Sequence, residues 1–239
     1  MPTSRRQFTL EALLLWLAIA SLHPLEAATV TDDNIWAMAS VTGSLGRIEP
    51  RTDGWLYSFD TQIKFADHDG KMAQYTWRAA IGRPLGSHWS VWAGYSHAEV
   101  DTPLTSKPYR EHRPFGQVVW TDSANGFALT GRLRIEDRLL NTGHDAGLRT
   151  RHLARVSHPI GDSPRLTGVV WDEVFLNWNN TDYGSRRGLD QNRLFGGFGW
   201  KQSDRVRWET GYLHNFNHRP GRADRLNRVW FSSLAFSFK

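Results

Sequence analysis

The sequence lacks cysteine altogether and has a low mean hydropathy of -0.51, with no apolar run long enough for a membrane-spanning helix. The absence of cysteine excludes disulfide frameworks, thiolate zinc sites and cysteine nucleophiles. Aromatic residues make up 13% of the chain and are spread along it, which excludes an intrinsically disordered protein. A chain of 239 residues can form one domain with a sizeable interior, held together without disulfides.

The N-terminal segment has the layout of a secretory signal peptide. Arg5 and Arg6 precede an apolar run at residues 12–22, and small residues follow it near Ala27. The run is too short to span a bilayer, which takes about 20 apolar residues. We therefore expect residues 1–27 to be a cleaved signal peptide.

Two export routes fit this segment. The stretch Ser-Arg-Arg-Gln-Phe at residues 4–8 resembles a twin-arginine signal, whereas an ordinary basic n-region is typical of secretion of an unfolded chain. In both cases residues 28–239 are expected to form a single domain. Cleavage removes two basic and two acidic residues, so the mature domain keeps the net charge of +5.

The rest of the chain is divided into segments of about ten residues in which apolar and polar residues alternate. Clusters of Gly, Pro, Asn, Asp and Ser separate them. Alternation is the period of a β-strand, and no sustained helical period competes with it. Tyr57 and Phe59, for example, fall on one face of a segment whose other face carries Asp60 and Lys64. Ten segments follow this pattern: residues 55–65, 74–81, 89–97, 113–120, 127–139, 148–156, 166–178, 192–200, 207–216 and 228–238.

The connections between these segments alternate in length. Short ones are expected at residues 83–87, 122–126, 161–165 and 202–205, and longer ones at residues 102–110, 179–189 and 217–227. Short turns on one rim and long loops on the other are typical of an outer-membrane β-barrel. Aromatic residues on the apolar faces, near strand ends, fit the girdles at two membrane interfaces. They are Tyr57, Trp77, Trp89, Tyr95, Trp120, Trp178, Trp200, Trp208, Tyr212, Trp230 and Phe238.

We therefore predict an all-β fold, a closed antiparallel up-and-down transmembrane β-barrel of 10–12 strands with a charged, mostly filled lumen. Closure is required because every backbone amide in lipid must be paired. An even number such as ten would return both chain ends to the periplasmic side. Residues 34–45 form an eleventh strand-like run, which could add a strand, fold into the lumen or cover the periplasmic mouth.

Ionisable residues are concentrated on the polar face, and basic ones outnumber acidic ones. The candidate lumen network consists of Arg78, Glu111, Arg113, Arg132, Arg134, Glu136, Arg138, Arg149, Arg151, Glu173 and Arg193. The same face carries Asp60, Lys64, Arg155 and Glu209. Two interpretations follow: the carboxylates pair with the guanidinium groups and stiffen the barrel, or the excess positive charge forms a narrow route or pocket for anionic solutes.

Two acidic residues break the alternation. Strict alternation points Asp137 and Asp172 at lipid, where a charge near the middle of the bilayer is costly. A bulge in the strand, or a position near a rim, would resolve each conflict.

Several motifs, taken in order along the chain, resemble the bacterial domain family DUF2490. They are Trp36, Arg78, Trp92-Ala93-Gly94-Tyr95, Glu111-His112-Arg113, Gln117, residues 132–138, Arg149, Arg151, Asp172-Glu173, Asn177, residues 190–193 and Gly211-Tyr212. The resemblance covers nearly the whole mature chain. It implies an exported β-protein of the outer-membrane type and adds no mechanism.

No motif of an enzyme is present: the sequence has no Gly-x-Ser-x-Gly, no His-Glu-x-x-His and no Gly-rich phosphate loop. We therefore assign no catalytic residue, metal ligand or cofactor. Histidines and aspartates near the long loops leave open a surface-loop hydrolase of the lipase or protease type. They are His97, His112, His144, His214 and His218, with Asp101, Asp145 and Asp182.

The expected location is the outer membrane of a Gram-negative cell, with a monomer in contact with its lipid. The final aromatic segment, residues 230–238, resembles a strand recognised by the barrel-assembly machinery. Nucleic acid is not an expected partner, because the basic residues alternate along strands and form no contiguous patch. A soluble periplasmic β-sandwich that binds a ligand is the remaining alternative. Loop arginines are expected to face outward and contact lipopolysaccharide phosphates: Arg186, Arg187, Arg219, Arg222 and Arg225.

Overall fold

The computed structural model describes residues 29–66, 70–163 and 165–238. The eleven strands are β1 Thr29–Ser44, β2 Leu56–Ala66, β3 Lys71–Leu85, β4 Trp89–Val100, β5 Tyr109–Ala124, β6 Phe127–Leu140, β7 Ala146–Pro159, β8 Leu166–Asn177, β9 Gly188–Lys201, β10 Val206–Asn217 and β11 Asp224–Phe238. Two single-turn 3-10 helices, Leu45–Arg47 and Pro50–Thr52, connect β1 to β2. Over the residues described, no helix is long and apolar enough to cross a membrane. The predicted signal peptide and Lys239 lie outside the described residues.

The strands close into one barrel, which confirms the predicted fold class. Each of the ten predicted segments corresponds to one strand, and every sequence neighbour pairs in antiparallel fashion. The rim with the connections β3–β4, β5–β6, β7–β8 and β9–β10, called here the turn rim, has short turns at these four places and a longer connection, 45–55, between β1 and β2. The tightest is a hairpin in which Asn125 and Gly126 both have positive φ, as a two-residue type I′ turn requires. The opposite rim, the loop rim, carries the connections 101–108, 178–187 and 218–223.

The run predicted at residues 34–45 belongs to β1, a full strand of the barrel wall. It pairs with β2 in antiparallel and with β11 in parallel orientation. Because eleven is an odd number, the first and last strands must run in the same direction. Thr29 therefore lies beside Asp224 at the loop rim, and Gly43 beside Phe238 at the turn rim. The first residue of β1 and the last residue of β11 therefore lie at opposite rims, unlike the arrangement expected for an even number of strands.

Part of the lumen is apolar, a feature that the sequence did not indicate. Trp171 stacks on Phe195 with ring centroids 5.2 Å apart, and Phe231 meets Phe195 edge to face at 5.6 Å. Gly211 allows this packing, because a Cβ there would lie 2.4 Å from the Gly196 carbonyl oxygen and 3.0 Å from the Phe195 ring. We call the cluster the apolar half of the lumen: Trp36, Val169, Phe195, Leu213, Val229 and Phe231, with Met38 and Trp171 packed against it.

The outer wall is also apolar, and its side chains are exposed. All the aromatic residues predicted for the girdles lie on strands or directly beside them, on the face away from the lumen. Trp89 pairs with Trp120, and Trp200 with Trp208, near the turn rim. Large exposed side chains of this wall include Ile35, Phe59, Ile81, Trp89, Val118, Leu133, Ile135, Leu139, Val170, Phe198, Trp200, Trp208, Tyr212, Trp230, Leu234 and Phe238.

Candidate functional site

The other part of the lumen, called here the charged half, holds all eleven residues of the predicted network. Nine of them form one continuous chain of ion pairs, which a tenth residue, Asp190, completes. Arg78 and Arg134 stand outside this chain. The alternation along β3 and β5 to β9 places these side chains on the inner face, where ion pairs join strands up to three apart in the sheet.

Glu111 anchors the end of the chain nearest the loop rim. Its side chain is fully buried and pairs with Arg113 and Arg138, each with an N–O distance of 2.5 Å. Arg138 then reaches Asp190 at 3.9 Å. One carboxylate thus binds two guanidinium groups from neighbouring strands, an arrangement of charge-assisted hydrogen bonds.

Asp190 links this end to the middle of the lumen, and sequence reasoning missed it. In the pairing of β8 with β9, Phe175 lies opposite Gln191 and Leu176 opposite Leu189, so Asp190 is an extra residue at a β-bulge. Its Oδ2 accepts a hydrogen bond of 2.7 Å from Arg149 Nη1. Strict alternation does not predict a bulge. The sequence signal that was available is the position of Asp190 in the family-like motif at residues 190–193.

Glu136 and Glu173 join the centre of the charged half to its turn-rim side. Glu136 Oε1 lies 2.5 Å from Arg149 Nη2, and its Oε2 lies 3.5 Å from Arg151 Nη1. Glu173 has three partners: Arg132 at 2.5 Å, Arg151 at 2.8 Å and Arg193 at 3.7 Å. Both carboxylates are buried.

An aromatic ring lies beneath this network. The guanidinium carbons of Arg149, Arg151 and Arg193 lie 5.2, 4.6 and 4.6 Å from the centroid of the buried Phe175 ring. A ring face attracts cations electrostatically. Phe175 therefore stabilises the three guanidinium groups. Their carboxylate partners are Glu136, Glu173 and Asp190.

Two cations of the predicted polar face, Arg134 and Lys64, have no carboxylate partner within the described ranges. Arg134 donates to Gln117 Oε1 from Nε and Nη2, at 2.9 and 2.7 Å, and stacks 4.0 Å from the centroid of Phe115. Lys64 lies with its Nζ 4.0 Å above the ring of Trp36. Both side chains are buried. By contrast, Arg78 pairs with Asp60 at 2.5 Å and Arg155 pairs with Glu209.

Three cavities lie between described residues of the lumen, arranged from the loop rim toward the turn rim. The first, the vestibule, has about 660 Å³ and lies against the connections 101–108 and 218–223. The second, the middle cavity, has about 190 Å³, and the third, about 210 Å³, adjoins the apolar half. The middle cavity is lined by Lys64 and six arginines, with Asp190 as its lining carboxylate: Arg78, Arg113, Arg138, Arg149, Arg151 and Arg193.

The two aspartates that break the alternation, Asp137 and Asp172, lie on the outer wall. A bulge or a position near a rim was expected for each, and Asp172 has neither. Asp137 is exposed and sits near the loop rim, as predicted. Asp172 is fully buried, although it lies neither at a bulge nor at a rim. Its Oδ1 accepts a hydrogen bond of 2.7 Å from Asn192 Nδ2, and the small Ala154 lies directly opposite on β7. A neutral amide and close packing thus cover it.

The histidines near the loop rim do not converge on one centre. His97 and His112 are neighbours on the outer wall, with ring centroids 4.9 Å apart, and Tyr95 hydrogen-bonds His112. His218 Nδ1 lies 3.1 Å from Asp224 Oδ1, a separate pair. His214 also lies on the outer wall. No group of three metal-ligating side chains occurs in the part of the chain that the structure describes.

Two loops of this rim are latched together by Asp182. Its carboxylate accepts hydrogen bonds from the backbone N–H groups of His144 and Asp145, at 2.7 and 3.3 Å, and its own N–H donates to Asp145 Oδ2. The N–H of His144, followed by that of Asp145, holds the pKa of Asp182 below its usual value because both bonds favour the ionised form. The hydrogen bonds of Asp182 therefore hold the two loops together.

The loop arginines divide into two groups. Arg186 and Arg187 are exposed, as expected for residues facing outward. Arg219, Arg222 and Arg225 line the vestibule, and Arg222 is also exposed. That all five face the cell surface stays a prediction. Arg225 pairs there with Asp32 at 3.1 Å.

Comparison with known proteins finds a matching family and an uncharacterised relative. The model of the family described as "Protein of unknown function (DUF2490)" matches residues 33–227, which run from β1 into β11. An uncharacterised protein of Methylorubrum extorquens is 27% identical over 190 residues, covering 79% of this chain and 80% of the relative. No solved structure matches the chain. Since the family match spans almost the complete barrel, this chain belongs to the DUF2490 family.

Proposed function

We propose that this protein is an outer-membrane β-barrel whose cationic lumen provides a narrow route for anionic solutes. The supporting observation is the distribution of polarity, which is inverted relative to a water-soluble protein. Ile135, Phe198 and Trp230 expose 50, 57 and 58% of their surface, while the charged network is enclosed. Extended exposed apolar surface is rare on soluble monomers and suits a hydrocarbon environment.

In this proposal a signal peptide at residues 1–27 directs export, and residues 28–239 form the monomeric barrel of a Gram-negative outer membrane. The turn rim faces the periplasm and the loop rim the exterior. Lipid surrounds the apolar wall, and Arg186 and Arg187 contact lipopolysaccharide phosphates by charge attraction. The barrel-assembly machinery recognises the terminal strand.

The anion preference follows from the charge balance of the lumen. Eight of the ten cations predicted for the polar face contact six carboxylates: Asp60, Glu111, Glu136, Glu173, Asp190 and Glu209. The other two, Lys64 and Arg134, contact none among the described residues. Rings of arginine favour anions in pores. A purely structural barrel is the second candidate, and the continuous ion-pair chain favours it because most of its pairs join two strands.

Membrane residence is tested first. The refolded protein is expected to need detergent and to migrate faster on a gel before heating than after it, because a closed barrel resists unfolding by the detergent. A protein that stays in solution without detergent would contradict the proposal.

A matched pair of variants tests which surface meets lipid. Leu133 lies in the middle of β6 and is exposed on the outer wall, whereas Ile48 lies in the connection at the turn rim. Leu133→Arg is expected to destabilise the barrel in vesicles by about 2–4 kcal/mol, the usual effect of arginine at the bilayer midplane. Ile48→Arg serves as the control, with little expected effect. Equal effects in urea titrations of the two variants would overturn the assignment of the wall.

Conductance across a planar bilayer tests the route itself. A small current with anion preference is expected, since the wall of the middle cavity is strongly cationic. Cation preference would contradict the anion route. A barrel that inserts and carries no current would favour the structural candidate.

A further inference from the structure

We propose that the middle cavity is a binding site for one small soluble oxyanion with two or more negative charges, which enters through the vestibule and is held by Lys64. The inference deepens the proposed anion-favouring lumen and rests on it. It does not depend on the membrane location.

Charge counting supports a multivalent ligand. Seven cations line the middle cavity. Their ion pairs involve five carboxylates: Asp60, Glu111, Glu136, Glu173 and Asp190. At least two positive charges therefore remain uncompensated in the lumen, because Glu173 also pairs with Arg132, which is not among the seven. Buried charge is costly unless it is paired, so a bound dianion would stabilise this arrangement.

Lys64 is the cation placed to receive such a ligand. It lines both the vestibule and the middle cavity, and it is the only one of the seven cations that does so in the described parts of the chain. Its ammonium carries three donors and is 4.0 Å from the Trp36 ring centroid, with no carboxylate partner among the described residues. The four other residues shared by the two cavities are polar: Gln74, Tyr109, Gln191 and Asn217.

The vestibule is positively charged, which favours the entry of an anion into the middle cavity. Arg219, Arg222 and Arg225 line the vestibule outside Lys64. Among the described residues, only Arg225 of these three has a carboxylate partner, Asp32. A cationic entrance concentrates anions in front of the site. At about 190 Å³, the cavity suits a solute of the size of pyrophosphate or citrate, and excludes a lipid headgroup still attached to its acyl chains.

The test is a calorimetric titration of the full folded protein in micelles, at low ionic strength, with pyrophosphate, with citrate and with acetate as the monovalent control. One site per barrel is expected for pyrophosphate and citrate, and no measurable binding of acetate. Lys64→Gln should weaken binding at least tenfold. The matched control is Arg110→Gln, which removes an exposed cation paired with Glu99 on the outer wall and should leave binding unchanged.

A second variant keeps the inference testable if Lys64→Gln does not fold. Gln74 lies directly opposite Lys64 in the β2–β3 pairing, so Gln74→Glu places a carboxylate beside the ammonium and should weaken binding tenfold while preserving the fold. Absence of binding by the folded wild-type protein, or unchanged affinity in both variants, would overturn the site. Heat-modifiable migration reports barrel formation independently, so failure of the site and failure of the membrane proposal are distinguishable.

Discussion

The charged half of the lumen is filled by ion pairs among β5 to β9 and by one between β2 and β3, whereas the apolar half, along β1 and β8 to β11, is filled by aromatic and aliphatic side chains. Apolar packing is undirected and leaves no charge to neutralise. The ion-pair network is directional, and its surplus of cations can attract a solute. One narrow barrel can thus have an apolar side that is packed like a core and a charged side that is suited to binding a solute.

The largest expected effect lies in the charged half, at Glu173. Glu173→Ala removes the carboxylate shared by Arg132, Arg151 and Arg193, so buried cations lose their partner. We expect a loss of about 5 kcal/mol, at the upper end for breaking a buried ion pair. Urea unfolding in micelles, followed by tryptophan fluorescence, measures it.

Glu99 provides the control for this experiment. It is exposed on the outer wall and pairs with Arg110, so Glu99→Ala should cost about 1 kcal/mol or less. If both variants unfolded at the same urea concentration, the charged half would not contribute to stability as described.

The corresponding change in the apolar half is Phe195→Ala. The ring is fully buried between Trp171 and Phe231, and its loss leaves a cavity. We expect a destabilisation of about 3–4 kcal/mol, measured by the same unfolding titration. Phe59→Ala, on the exposed outer wall, is the control and should cost less. The reverse order would show that the apolar half is not a packed core.

A smaller effect is expected from adding a methyl group to the apolar half. In Gly211→Ala the new Cβ would lie 2.4 Å from the Gly196 carbonyl oxygen and 2.5 Å from Gly197 Cα, both backbone atoms that cannot rotate away. Overpacking of this kind typically costs about 1–3 kcal/mol. Gly196→Ala is the matched control, since its Cβ would meet nothing within 4 Å. Equal melting temperatures for the two variants would contradict the close approach.

The smallest effect should occur outside both halves, at the loop latch, and it depends on pH. The pKa of Asp182 is lowered by the N–H groups of His144 and Asp145, so the latch contributes stability above the ordinary aspartate pKa of about 3.9. That contribution is lost as the pH falls through the lower pKa of the folded protein. Amide NMR signals of His144 and Asp145 should therefore hold at pH 5 and move only in stronger acid. Asp182→Asn should abolish this transition, and movement already at pH 5 would contradict the lowered pKa.

Much of the fold could be predicted because alternation is a local property. The period of two along β6, for example, places Arg132, Arg134 and Glu136 on one face whatever the neighbouring strand. The closing pair could not be predicted in this way. β1 and β11 are distant in sequence, and their parallel pairing follows only from the total number of strands.

The candidate site was predictable as a set of residues and not as a set of contacts. All eleven residues of the network lie in the lumen, but Arg132 and Glu173, which are 41 positions apart, meet only because the barrel brings β6 and β8 together. Asp190 enters through a bulge, and the apolar half has the same alternation as the charged half with Phe195 and Leu213 in place of arginines.

The alternation of side chains, together with the excess of arginine on the polar face, was therefore sufficient to specify a barrel wall with a polar inner face. Closure decided the remainder: the odd strand number, the division of the lumen into two halves, and the isolation of Lys64 from carboxylates in the described residues. The reason is physical, because alternation depends on the geometry of a single strand, whereas ion pairing and packing across a lumen depend on distances that exist only once all eleven strands are in register.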